Sequence, residues 1–229
     1  MASPARAEQG VAGVRPAEPI ALGDPRLREV YRQVYVSLEL PAEARSSVIG
    51  ITSAIGGEGR TTVACGLAET LARDLSVPVS LVEVDFERPA LALHFDIAPA
   101  PGLCEVLRGE YGLAEVARPV GPNLMVVTAG HVGPHPARLL HQLATHNPLD
   151  GPDSLAGVVI LDLPPLVNQS WSALAAGIAD AVVLVVRAGV TPAGVVREAI
   201  ARLDARPQGV ILNSPRPSRF ARLFGRAGS

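Results

Sequence analysis

The chain has 229 residues, 48% of them hydrophobic and 3% aromatic, with a formal charge of −2. This length suits one well-buried domain with flexible ends and is short for two domains with linkers. The near-neutral charge and sparse aromatics argue against an extended nucleic-acid surface and for an interior of Ala, Val and Leu.

Residues 1–24 carry Ala, Pro, Gly and charge without periodicity, and a disordered leader is expected there. They contain no apolar core behind a basic start, so a secretory signal is not expected. From Pro25 to about Leu40, Leu27, Val30, Tyr31, Val34 and Leu38 recur at helical spacing and predict a helix with one apolar face. The period then changes. Short aliphatic runs alternate with helical segments at Ser47–Thr52, Val79–Val84, Asn123–Val127, Gly157–Asp162, Ala181–Arg187 and Gly209–Asn213. Continuous rather than alternating apolar runs are the mark of parallel strands covered on both faces, so a doubly wound, mainly parallel α/β sheet is predicted over residues 25–214. The stretches Ala98–Gly102 and Gly130–Pro136 read as loops. Residues 215–229 form a basic tail in which Arg216, Arg219, Arg222 and Arg226 stand among Phe220, Leu223 and Phe224, either a solvated end or a segment drawn to an anionic surface. The longest apolar stretch, Ala173–Val186, is interrupted by Asp180 and is too short to span a membrane. Cys65 and Cys104 lie in segments that read as helices and lack ligand spacing, which suggests buried free thiols in a reducing cytoplasm.

The chemistry concentrates at strand ends. The first strand runs into Ser53, Ala54, Ile55, Gly56, Gly57, Glu58, Gly59, Arg60, Thr61 and Thr62, ahead of the helical pattern Val63–Arg73. A glycine-rich turn between strand and helix aims several backbone N–H groups and a helix N-terminus at one point, where phosphate oxygens bind. Gly56, Gly57, Glu58, Gly59, Arg60, Thr61 and Thr62 are the candidate cradle, with a Thr hydroxyl placed for magnesium; the bland alternative is a tight turn without a ligand. The ordinary motif has Lys where this chain has Arg60, and the sequence contains no Lys. A planar, forked guanidinium does not replace a compact ammonium conservatively. Misplacing one charge costs phosphoryl transfer a few kcal/mol of transition-state stabilisation, so binding should survive the exchange better than turnover. Glu83 and Asp85, at i and i+2 on leaving the second strand, could hold a metal-bound water or accept a proton, or could simply be a charged surface loop. Asp162 closes the aliphatic run Val158–Leu161, where a Walker B acid would reach magnesium, or where an acid could cap a turn. Asn213 has an amide suited to an adenine edge or to a turn. His94, His131, His135, His141 and His146 form no convincing cluster, and no metal role is assigned to them.

Taken together, these residues resemble the bacterial tyrosine kinases of capsule and exopolysaccharide synthesis, relatives of the Min and Par partition ATPases. The likeness runs from Glu29 to Asn213. Ser53–Thr61 fits the capsule kinases' loop, with Gly56 in place of Pro and Arg60 in place of Lys. Glu83, Asp85 and Arg88-Pro89 look like the second acidic motif, and Asp162 with Pro164-Pro165 like Walker B; Pro101-Gly102-Leu103, Glu105-Val106-Leu107 and Ala129-Gly130 add to the match. The resemblance implies a P-loop NTPase of the deviant Walker type that binds ATP and Mg2+. It also implies phosphates on Gly57, Gly59, Arg60 and Thr61, metal at Thr61, Asp85 and Asp162, and catalytic groups among Glu83, Asp85 and Arg60. Expected partners are a membrane adaptor of the polysaccharide chain-length or export type, holding the protein peripherally at the inner face, and further copies of the chain; nucleic acid is not expected.

Three departures bear on activity. In the helix motif that builds the family's ring, Glu29 and Arg32 match while Tyr35 stands where Arg is usual. Glu83 replaces an Asp and Glu87 an Arg. Tyr31, Tyr35 and Tyr111 are the only tyrosines, so no C-terminal cluster exists for autophosphorylation. The sequence reading is therefore an ATP-binding regulator with weak or absent phosphotransfer. The alternatives are an active kinase or ATPase using Arg60, and a docking scaffold that binds no nucleotide.

Overall fold

The computed structural model describes residues 24–213 except 39, 41–45, 76, 150–154, 156, 168, 170 and 205–206. The leader and basic tail expected at 1–24 and 215–229 lie, apart from Asp24, outside the described residues.

Asp24 opens the first helix, α1 (Pro25–Ser37), by accepting the Arg26 N–H at 2.7 Å, with Pro25 pre-set for the first turn. The helix stops at Ser37, short of the expected Leu40, where the Leu38 N–H bonds back to the Tyr35 carbonyl. The strands β1 (Ser46–Ser53), β2 (Val79–Glu83), β3 (Arg118–Gly121), β4 (Leu124–Val127), β5 (Gly157–Asp162), β6 (Ala181–Arg187) and β7 (Gly209–Asn213) form one sheet in the order β3-β4-β2-β5-β1-β6-β7. Every pairing is parallel except β3 with β4. Sequence reasoning missed β3 because Arg-Pro-Val-Gly is short and reads as a turn; Pro119 is tolerated because the strand lies at the sheet's edge.

Helices cover both faces. Along β1, Ile49 and Ile51 pack with Val63, Leu67 and Leu71 of α2 (Arg60–Asp74), whereas Val48 joins the opposite core with Val159, Leu161 and Val82. That second core includes α4 (Leu103–Leu107), α5 (Leu113–Val116), α6 (Pro136–Thr145) and α7 (Ser172–Ala176). The remaining helices, α3 (Leu91–His94) and α8 (Ala193–Ala201), follow the second and sixth strands. Cys65 and Cys104 are buried free thiols on α2 and α4; burial pushes the Cys104 thiol up to about 12 and the Cys65 thiol higher still. On α1, Tyr31 lies against Gly66 of α2, and Arg32 reaches Asp74 at 2.5 Å and Glu29 at 3.1 Å. Among the described residues, no helix is long and apolar enough to cross a membrane.

Strand order reverses around β1, flanked by β5 on one side and β6 on the other. In register, Ile51 and Glu83 both lie opposite Asp162, so the ends of β1, β2 and β5 come level. Open parallel sheets bind ligands at that carboxyl edge.

Candidate phosphate-binding site

The loop leaving β1 is held from two sides. Toward β5, the Leu166 and Val167 N–H groups donate to Ser53 and Ala54 carbonyls at 2.9 and 3.0 Å, and the Thr52 hydroxyl donates to Pro164 at 2.8 Å. Toward β6 and β7, the buried Glu58 carboxylate accepts the Arg187 N–H at 2.9 Å and the Thr191 hydroxyl at 2.5 Å, besides the Ile55 N–H of its own loop. Asn213 donates its side-chain amide to the Glu58 carbonyl at 2.8 Å. Glu58, taken from the sequence as part of the cradle, is thus a brace beneath it. Asn213, taken as an adenine reader, gives its Nδ2 to the same brace.

Gly57 and Gly59 adopt φ of 83° and 86°, the left-handed region that glycine enters without strain, and a side chain at 59 would also run into the Asn213 amide. The turn leaves the backbone N–H groups of Gly56, Gly57, Gly59, Arg60 and Thr61 without an acceptor among the described residues. Successive free amides at a helix N-terminus form an anion nest. Four of these residues, Gly56, Gly57, Arg60 and Thr61, line a cavity of about 220 Å³ with Asp85, Glu87 and Arg88 after β2 and Pro165 and Gln169 after β5. Thr62 is exposed beside Thr61 and does not line it. The volume is below the roughly 300–1,000 Å³ of ordinary small-molecule pockets and matches a phosphate chain better than a whole nucleotide.

At the cavity wall Arg60 is committed to two acids. Its guanidinium, on a side chain 10% exposed, donates from Nε to Asp162 Oδ1 at 3.0 Å and from Nη2 to Asp85 Oδ2 at 2.5 Å. Thr61 donates its hydroxyl to Asp162 Oδ2 at 2.7 Å, and Asp85 Oδ1 accepts the Glu87 and Arg88 N–H groups. All four carboxylate oxygens therefore have partners. Burial raises the Asp162 carboxyl above its usual range, and Arg60 and Thr61 counter that rise by favouring the carboxylate.

The structure does not bring Glu83 to this cluster. Its buried carboxylate accepts the backbone N–H groups of Ala90, Leu91 and Ala129, fastening the start of α3 and the exit of β4 to the end of β2. Burial raises this carboxyl too, with the three amides opposing. Arg88 and Gln169 line the cavity without having been singled out as site residues. A phosphate-loop pattern names the loop itself, not the side chains that later turns lay over it.

Of the two groups implied for such a site, the phosphate chain fits: free amides and left-handed glycines form a concave cradle. Magnesium does not fit with Arg60 where it stands, because a guanidinium already holds both acids that the metal would use. Among the described residues, no group of three His, Cys, Asp or Glu side chains is arranged to hold a metal.

No protein-family model matches the chain. It is 28% identical over 209 residues to tyrosine-protein kinase YwqD of Bacillus subtilis, covering 88% of each chain. It is 25% identical over 193 residues to tyrosine-protein kinase CpsD of Streptococcus agalactiae, covering 82% of this chain and 83% of the relative. The kinase domain of Escherichia coli tyrosine kinase ETK superposes with a TM-score of 0.73 at 24% identity, covering 93% of this chain and 87% of that one. The BceF tyrosine kinase domain gives 0.69 at 29%, covering 82% and 76%. The fold also matches cobyrinic acid a,c-diamide synthase from Mycobacterium smegmatis, solved with an ATP analogue and magnesium, at 0.57 and 19% identity over 74% and 73%. By its sequence relatives and its mainly parallel sheet, the chain is a homologue of the bacterial tyrosine-protein kinases, built on the P-loop ATPase fold.

Proposed function

We propose that the chain binds ATP in the cradle between β1 and α2 and serves as a kinase-like regulator of exopolysaccharide synthesis or export, with weak or absent phosphotransfer. The observation that carries this reading is Arg60. The side chain at the usual lysine position is bound to Asp85 and Asp162 at the cavity wall rather than free to reach a phosphate. In this reading the amides of Gly56, Gly57, Gly59, Arg60 and Thr61 bind phosphate oxygens, and the Glu58–Asn213 brace holds those amides in position. The acids are neutralised by Arg60, so the positive charge at the usual lysine position is not free to follow a phosphoryl group as it migrates. Losing one such placed charge slows transfer by roughly a hundredfold to a thousandfold.

The polysaccharide context rests on the resemblance, and with it a membrane adaptor and self-association. Arg32, whose family counterpart reaches a neighbouring copy, is engaged here within its own chain by Asp74 and Glu29. Lysine at position 60 tests the catalytic part: Arg60→Lys should raise ATP turnover far above that of the natural chain, and equal rates would reject the reading.

A further inference from the structure

Asp85 and Asp162 face each other across the end of the sheet, and the positive charge between them is the chain's own guanidinium. We infer that Arg60 takes the place of a divalent cation in this site, so that the cavity binds a phosphate chain without magnesium, and that Arg88 supplies the positive charge that meets it. This rests on the nucleotide-binding reading above and goes a step further.

Magnesium holds its ligands at about 2.0–2.1 Å in near-octahedral geometry. To bind Asp162 and the Thr61 hydroxyl it would have to break the 2.7 Å bond between them and expel the buried guanidinium from two carboxylates at once. Breaking two charge-assisted hydrogen bonds in a water-poor site opposes that exchange. Arg88 is placed differently. It is exposed, lines the same cavity, and carries its Nη1 against Gly56, where an added Cβ would approach it to 3.2 Å. No carboxylate pairs with it among the described residues. The nest is thus bordered by one committed guanidinium below and one uncommitted guanidinium beside the glycines. A forked donor of that kind suits two oxygens of one phosphate group.

Isothermal titration of ATP into the full chain, once with excess EDTA and once with magnesium, tests both halves. The inference predicts affinities within about twofold of each other in the two buffers. It also predicts that Arg88→Gln, an exposed change that leaves the core alone, weakens ATP by about tenfold in both. Binding that appears only with magnesium would overturn the inference and leave the nucleotide reading standing. No heat in either buffer would remove the nucleotide reading and this inference with it. Unchanged affinity in Arg88→Gln would refute the role given to that side chain.

Discussion

Replacing Arg60 with Ala removes the one cation shared by two carboxylates that are 2% and 1% exposed. With charge centres about 4 Å apart and an effective dielectric near 20, each contact contributes roughly 4 kcal/mol before desolvation is counted. Desolvation offsets much of that, and deleting one partner of a buried ionic cluster costs a net ~3–5 kcal/mol. Urea unfolding of Arg60→Ala beside the natural chain at pH 7 should show a loss of that size. The loss should also depend on pH, with a definite sign. Burial already raises the Asp162 carboxyl above its ordinary 3.8, and without Arg60 it rises further. The variant's native state then holds protons that its unfolded state has released above that value, so the variant gains stability relative to the natural chain as pH falls toward it. The deficit should be larger at pH 8 than at pH 5. A loss under about 1 kcal/mol, or one that does not change with pH, would mean that Arg60 does not carry the charge balance of the cluster.

Two further substitutions test the scaffold around the site. Glu105, at the start of α4, accepts the Gly102 and His131 N–H groups at 2.7 and 3.0 Å and the Arg108 guanidinium at 2.7 Å. Its burial works to raise its carboxyl, but these partners outweigh that and hold it below the ordinary 4.5. Its stabilisation is therefore complete above 4.5 and lost as pH falls below it, so Glu105→Gln should cost ~1–3 kcal/mol at pH 7 and progressively less in acid denaturation below pH 4.5. Asn213→Ala removes the amide that ties β7 to the Glu58 carbonyl. A loss of ~1 kcal/mol with faster hydrogen exchange at the Ile55 and Arg187 amides, which donate to the Glu58 carboxylate, is expected, and unchanged exchange would show that the brace does not order the loop.

The sheet was legible because strands buried on both faces read as unbroken apolar runs. Val158–Leu161 and Ala181–Val186 could hardly belong anywhere else. The phosphate loop was legible because its glycines sit where a strand must turn into a helix. What each polar side chain does was less legible, since it depends on partners far away in the chain. Glu58 meets Arg187 and Thr191 only after β6 is laid beside β1, and Glu83 meets Ala129 only after β4 is laid beside β2. The Arg60 exchange was visible as chemistry, but its direction was not. That a guanidinium turns to two acids follows from Asp162 closing β5 and Asp85 lying just past the end of the neighbouring β2.

The central claim is that Arg60, held by Asp85 and Asp162, denies the loop the placed charge that phosphoryl transfer needs. ATP hydrolysis by the natural chain and by Arg60→Lys, measured side by side in the same magnesium buffer, tests it most directly. The account predicts that lysine accelerates the reaction by about a hundredfold; a natural chain as fast as its lysine variant would contradict it.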